Sequence, residues 1–188
     1  MGTNGVINID DLELTTYTNS AGKTFIEYKQ NSGPWASMSY GDNTIAAQGC
    51  SITSLAITFS GYGYDVTPQN WSSPSLVSIS GETRKYASNS VAVPIGSDGY
   101  ANLNVAESNK KDIQEHLKTG EVVIIHVLGT KKGYDNPYTS NQHWMALLDI
   151  NEDGSQVYVS NPYAGKTNGW ADIDQVLRSL CCYIKVKP

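Results

Sequence analysis

From residue 50 the run CSITSLAITFS sets Ile52, Leu55, Ala56 and Phe59 at i, i+3, i+4 and i+7. That is one face of a helix, and Gly61 and Gly63 stop it. The same spacing returns in ESNKKDIQEHLKTG, where Ser108 can cap, Ile113 and Leu117 lie four apart, and Gly120 ends the helix. VTPQNW predicts a further helix start, with Thr67 as N-cap and Pro68 in the first turn. The period then shortens. EVVIIHVLG is a β-branched run that predicts a buried strand, and QHWMALLDI predicts another. NEDGS is a turn, QVYVSNP alternates as a strand, ADIDQVLRSL is a short helix and CCYIKVK a last strand. Residues 1–28 read as a polar lead-in with short strand segments at VINI and TFIEYK, followed by the loop NSGPWASMSYGDN. The Ser/Gly/Asn-rich stretch 72–105 shows no assignable period. Helices followed by a mostly antiparallel sheet predict an α+β fold. No repeat or internal linker is visible, so 1–188 reads as a single domain, with 1–25 as a lead-in or a linker from a larger protein.

Composition narrows the partners. Hydrophobic residues make up 39% and charged residues 16%, which places the chain among globular, lightly charged domains. A net charge of −5 argues against a nucleic-acid or anionic-membrane partner. No apolar run approaches the roughly 20 residues of a membrane-spanning helix, so no membrane insertion is expected. The start, MGTNGVINIDD, has neither a basic end nor an apolar stretch; MGT reads as a cloning scar, in which case native targeting has been cut away. The three cysteines, Cys50, Cys181 and Cys182, are an odd number and predict no disulfide framework. Without a CxxC pair, and with three scattered histidines, neither a metal site nor a cofactor is expected, and Cys181 and Cys182 read as packed strand residues.

Cys50 is different, because it opens a helix. The partial positive charge of a helix N-terminus stabilises a thiolate, the nucleophilic form, and can lower the thiol pKa below about 8.5. Gly49 lets the chain turn tightly beside it. Position alone leaves nucleophile and buried small residue evenly matched. A nucleophilic cysteine needs a base. His116 sits among charges on a helix and His126 inside an apolar strand. His143 begins a strand just after a polar loop, where a rigid element meets solvent, and is preferred. The imidazole needs an orienting acceptor. Asn161 lies 18 positions beyond His143, room for two strands and the NEDGS turn, so a hairpin would return it to His143. Pro162 keeps Asn161 out of helical conformation. Asp149 and Asp153 are alternative carboxylates, but they fall at the hairpin's far end. A developing oxyanion needs donors: the Cys50 N–H is one, and the amide of Gln30 or Gln48 a second. Gln30 is preferred, since the loop ahead of the helix can fold it over the sulfur.

These pieces together resemble a known family. QNSGPWASMSYG, then IAAQGCSITSLA, then QHWMALLDINEDG, then VYVSNP, stand in the order seen in bacterial papain-like cysteine peptidases related to the bacteriocin-leader-processing peptidases (family thirty-nine and its stand-alone relatives). The resemblance spans residues 26–163. It departs at Ser51 and Ile52, where the family often has Gly and Pro, at Gln142, often Gly, and at Asn161, more often Asp. It implies a papain-like fold, in which an N-terminal helical part carrying Cys50 packs on a mostly antiparallel sheet carrying His143. It implies Cys50 as nucleophile, His143 as base, Asn161 as orienting residue and Gln30 in the oxyanion hole.

The expected function is therefore hydrolysis of a peptide bond through an acyl-enzyme, with a peptide or protein substrate and no cofactor. A cell-wall amidase or endopeptidase acting on peptidoglycan peptides is the alternative within the same chemistry. A non-catalytic interaction domain with a papain-like shell is the alternative outside it. Trp35, Trp144 and Tyr163 flank the site residues and are expected to line the cleft. A monomer, outside the cell or on the surface of a bacterium, is expected.

Overall fold

The chain begins with a three-stranded antiparallel meander, β1 (Thr3–Ile9), β2 (Leu12–Thr18) and β3 (Thr24–Ile26). This describes a computed structural model in which residues 1–9, 11–71, 87–92, 103–133 and 136–186 are placed. A small hairpin, β4 (Ser39–Tyr40) and β5 (Asn43–Thr44), leads into the single turn α1 (Ile45–Gln48) and then α2 (Cys50–Ser60). Strand β6 (Ala87–Ala92) and helix α3 (Leu103–Leu117) follow, then β7 (Val122–Leu128), β8 (Gln142–Ile150), β9 (Gln156–Ser160) and β10 (Gly169–Asp172). Helix α4 (Ile173–Leu177) and β11 (Leu180–Val186) are the last of the described elements. Strands β6 to β11 form one six-stranded sheet in the order β10-β9-β8-β7-β11-β6, with every paired neighbour antiparallel.

The sheet is buried on both faces because helices cover both. Along β7, Val123, Ile125 and Val127 face one way and pack with Ile113 and Leu117 of α3 and Ile173, Val176 and Leu177 of α4. The alternate residues Val122 and Ile124 face the other way, against Ile52, Ala56, Ile57 and Phe59 of α2 and Tyr17 and Phe25 of the meander. Fully burying an aliphatic or Phe side chain contributes about 1.5–3 kcal/mol. These contacts, rather than helix propensity, hold the short α2 in place. Its end is equally constrained: a Cβ on Gly61 would collide with the Phe25 ring.

The α+β, papain-like arrangement expected from the sequence is the one adopted: the Cys50 helix packs on an antiparallel sheet that carries His143. Helix 103–117 begins five residues before Ser108, which lies inside it and is not its cap. Most of the 72–105 stretch lies outside the described residues, apart from β6 and the start of α3. Residues 1–25, read as lead-in or linker, contribute Leu14, Tyr17 and Phe25 to the core, and Tyr17 stacks on Tyr158 of β9 at 3.5 Å. Alternation in LELTTYT was the available sign of a half-buried strand, masked by its threonines.

Candidate active site

The β8–β9 hairpin does what its length predicted. Antiparallel pairing sets Ala146 opposite Ser160, so the residue after β9, Asn161, returns beside the start of β8. His143 Nε2 lies 2.9 Å from Asn161 Oδ1, and both residues are buried. The amide N–H of Tyr163, which can only donate, meets the same Oδ1 at 3.0 Å. That oxygen is therefore an acceptor, and the imidazole must donate to it from Nε2. In the neutral ring the proton sits on Nε2 and the lone pair on Nδ1.

Cys50 opens α2 and shares one cleft with His143, of about 380 Å³. Gln30, Tyr163, Lys166 and the loop 138–142 form its other walls. Gly49 reaches φ −81°, an ordinary value; what demands glycine is the close approach of Ile45, into which a Cβ would run. Gln30 is 2% exposed, and its Nε2 donates to Ala46 O at 2.9 Å, tying it to the turn that precedes Cys50. A longer contact to Ile45 O measures 3.4 Å. Gln48 is exposed and no part of this cleft.

The profile of the peptidase C39-like family matches residues 23–185. The chain belongs to the peptidase C39-like family. The resemblance read from the Gln30, Cys50, His143 and Asn161 segments is borne out at family level. Among solved structures, the chain is similar to one described as a candidate C39-like peptidase from Bacillus anthracis, at 12% identity and a TM-score of 0.49. That match covers 75% of this chain and 90% of the other. No curated protein matches the chain in sequence. The family match starts at residue 23, so β1 and β2 lie outside it although they pack into the core.

In this C39-like chain the electrostatics of the cleft depart from expectation. Burial pushes the Cys50 thiol up, outweighing the backbone N–H groups of Trp144, Ser51 and Cys50 itself, which pull it down. The predicted lowering by the helix N-terminus is thus reversed, because desolvation penalises a thiolate more than these dipoles favour it. Burial likewise lowers the His143 pKa. The Asn161 bond opposes this, and the positive charges of His126, Lys166 and Lys29 reinforce it. Both shifts favour the uncharged forms, the thiol and the neutral imidazole.

The aromatic residues expected in the cleft divide. Tyr163 is 40% exposed and lines it. Trp35 is core: it is 3% exposed, sits edge-on to Tyr28 and donates from Nε1 to Lys29 O at 2.7 Å. Trp144 lines no part of this cleft, and stacks on His126 at 4.6 Å. Asp149 and Asp153 do lie at the hairpin's far end. Asp149 accepts from Tyr17 and Ser20, and Asp153 caps the turn through Ser155 N.

Sequence reasoning missed Lys29 and Asn168. Lys29 Nζ donates to Asn161 O at 2.6 Å and to Asn168 Oδ1 at 2.8 Å. The same Asn168 oxygen accepts from Asn161 N at 2.8 Å. Both backbone groups of Asn161 are therefore clamped by one lysine–asparagine pair. Gln30 N, the next residue on, donates to Pro162 O at 2.6 Å, so the two segments are stitched together. Burial pushes the Lys29 ammonium down to about 8, with Glu27 opposing. Its place beside Gln30 was the only sequence signal.

Proposed function

We propose that this protein is a cysteine peptidase whose nucleophile is Cys50, with His143 as base, Asn161 as its orienting residue and Gln30 as an oxyanion donor. The observation that carries the reading is the 2.9 Å contact of His143 Nε2 with Asn161 Oδ1 in the wall of the cleft that contains Cys50. Family membership supports the reaction class.

Because burial favours the uncharged thiol and imidazole, the proton moves as the substrate arrives. Cys50 Sγ attacks the scissile carbonyl carbon while its proton passes to His143 Nδ1. The positive charge that forms on the ring is held by the Nε2–H bond to Asn161. The carbonyl oxygen becomes an oxyanion, stabilised by the Cys50 N–H and by Gln30 Nε2, which gives up its long 3.4 Å contact with Ile45 O to reach it. Collapse breaks the C–N bond, and His143 gives its proton to the leaving amine. Water, deprotonated by His143, then attacks the thioester, and the carboxylate leaves as the Cys50 thiol is restored.

A mixed fluorogenic peptide library tests this. Cleavage by the parent chain and its loss in Cys50→Ser, with an unchanged thermal midpoint, is the expected result. Turbidity loss of purified cell walls without cleavage of any library peptide would move the substrate to peptidoglycan. No Cys50-dependent hydrolysis of either would leave an interaction domain.

A further inference from the structure

Read along the chain, Cys181 and Cys182 are strand residues and His126 lies 55 positions before the first of them. The sheet brings them together. In the β11–β7 ladder Leu180 pairs with Val127 and Cys182 with His126, so Cys181 is an extra residue in a β-bulge. In a regular strand adjacent side chains point to opposite faces. A bulge re-aims one of them. Here the Cys181 and Cys182 sulfurs and a His126 ring nitrogen all lie within 4.8 Å of one another, each residue half-buried. His126 shares the sheet face of Val122 and Ile124, and its ring is held flat against Trp144, 4.6 Å between centroids and 11° between planes. Its Nε2 is buried with no hydrogen-bond partner among the described residues. Both cysteines are free thiols. Three features thus point to a ligand: a converging S, S and N donor set, a ring already oriented, and a buried polar atom left unpaired.

We propose that His126, Cys181 and Cys182 bind a soft metal ion of the zinc class. Two thiolates and an imidazole are the donor types that Zn²⁺ selects over hard cations. Zn–S bonds of about 2.3 Å and Zn–N bonds of about 2.0 Å require the three donors to close to roughly 3.5–3.8 Å, a side-chain rotation. The fourth tetrahedral position stays open to water or an exogenous ligand. Binding expels the thiol protons. Because those protons must leave, affinity climbs with pH. This site is separate from the Cys50 cleft and stands whether or not the chain is a peptidase.

The test uses the full chain, reduced, with Cys50→Ser to remove the third thiol. Titration with Co²⁺ should give a thiolate-to-cobalt charge-transfer band saturating at one equivalent, bleached by Zn²⁺ and tighter at pH 8 than at pH 6. The Cys181→Ser/Cys182→Ser chain should lose the band, and His126→Ala should weaken binding about 10- to 100-fold. A variant-free measurement guards against misfolding: Zn²⁺ should protect Cys181 and Cys182 of the unaltered chain from alkylation, read by mass spectrometry. No band and no protection would overturn the proposal. So would a band that survives the double serine variant, or an affinity indifferent to His126→Ala.

Discussion

The two ends of the β8–β9 hairpin both bury polar side chains, and they bury them differently. At the turn end Asp149 is 1% exposed and accepts from Tyr17 Oη, Ser20 N, Ser20 Oγ and Ile150 N at 2.7–2.9 Å. Asn19 beside it spends its Nδ2 on Leu148 O and Gly120 O, and its Oδ1 on two backbone N–H groups. At the open end Asn161 and Gln30 are equally buried. Yet Asn161 Nδ2 and Gln30 Oε1 have no hydrogen-bond partner among the described residues. A satisfied buried network holds a fold together, whereas a buried donor or acceptor left unpaired costs stability. That cost, set beside a cleft and a cysteine, is what the proposed active site requires: stability yielding to chemistry at the open end.

If that division is right, variants at the two ends should separate stability from turnover. Cys50→Ser should have the largest effect, a loss of peptide hydrolysis of at least about 10³-fold with the urea midpoint unchanged. Asp149→Ala should cost about 3 kcal/mol of folding free energy in urea denaturation, since it strands Tyr17 and the Ser20 groups. Its kcat/KM, measured well below the melting temperature, should match the parent. An equal loss of activity at both ends would erase the contrast. Asn161→Ala should lower kcat about 10²-fold with little change in KM, because the imidazolium loses the acceptor on Nε2. Lys29→Met should act more mildly, lowering kcat several-fold through a loosened Asn161. It also removes a positive charge that depresses the His143 pKa. The acid limb of its pH–rate profile should therefore move to higher pH, and Lys29→Arg should restore it. In the parent that limb should lie below the ordinary imidazole value, because the base works only while neutral and burial holds its pKa down. The smallest effect is on labelling. The rate of Cys50 alkylation by iodoacetamide should rise with pH around a midpoint above that of a free thiol, since burial raises its pKa.

Much of this was legible in the residues. The helix opened by Cys50 and the strand run of residues 122–128 follow from period. The meeting of His143 with Asn161 follows from the length of one hairpin. Gln30 was preferred over Gln48 because a preceding loop can fold back, and that is how the loop runs. Trp35 was misplaced because an aromatic beside a site residue reads the same whether it faces the cleft or the core. Lys29 was passed over because nothing local marks a lysine whose partners lie 132 and 139 positions away.

The sequence by itself determined the elements and their order, because hydrophobic period and turn chemistry are local. It also determined which residues a hairpin must return to one another, because antiparallel pairing is a matter of counting. Tertiary structure alone decided which way the Cys50 and His143 pKa values move, because desolvation depends on everything packed around them. It alone decided that residues 12–18 belong to the core, since burial needs the surface of β9 to pack against. And only the bulge in β11, one unpaired residue in a ladder, turned two ordinary strand cysteines toward His126.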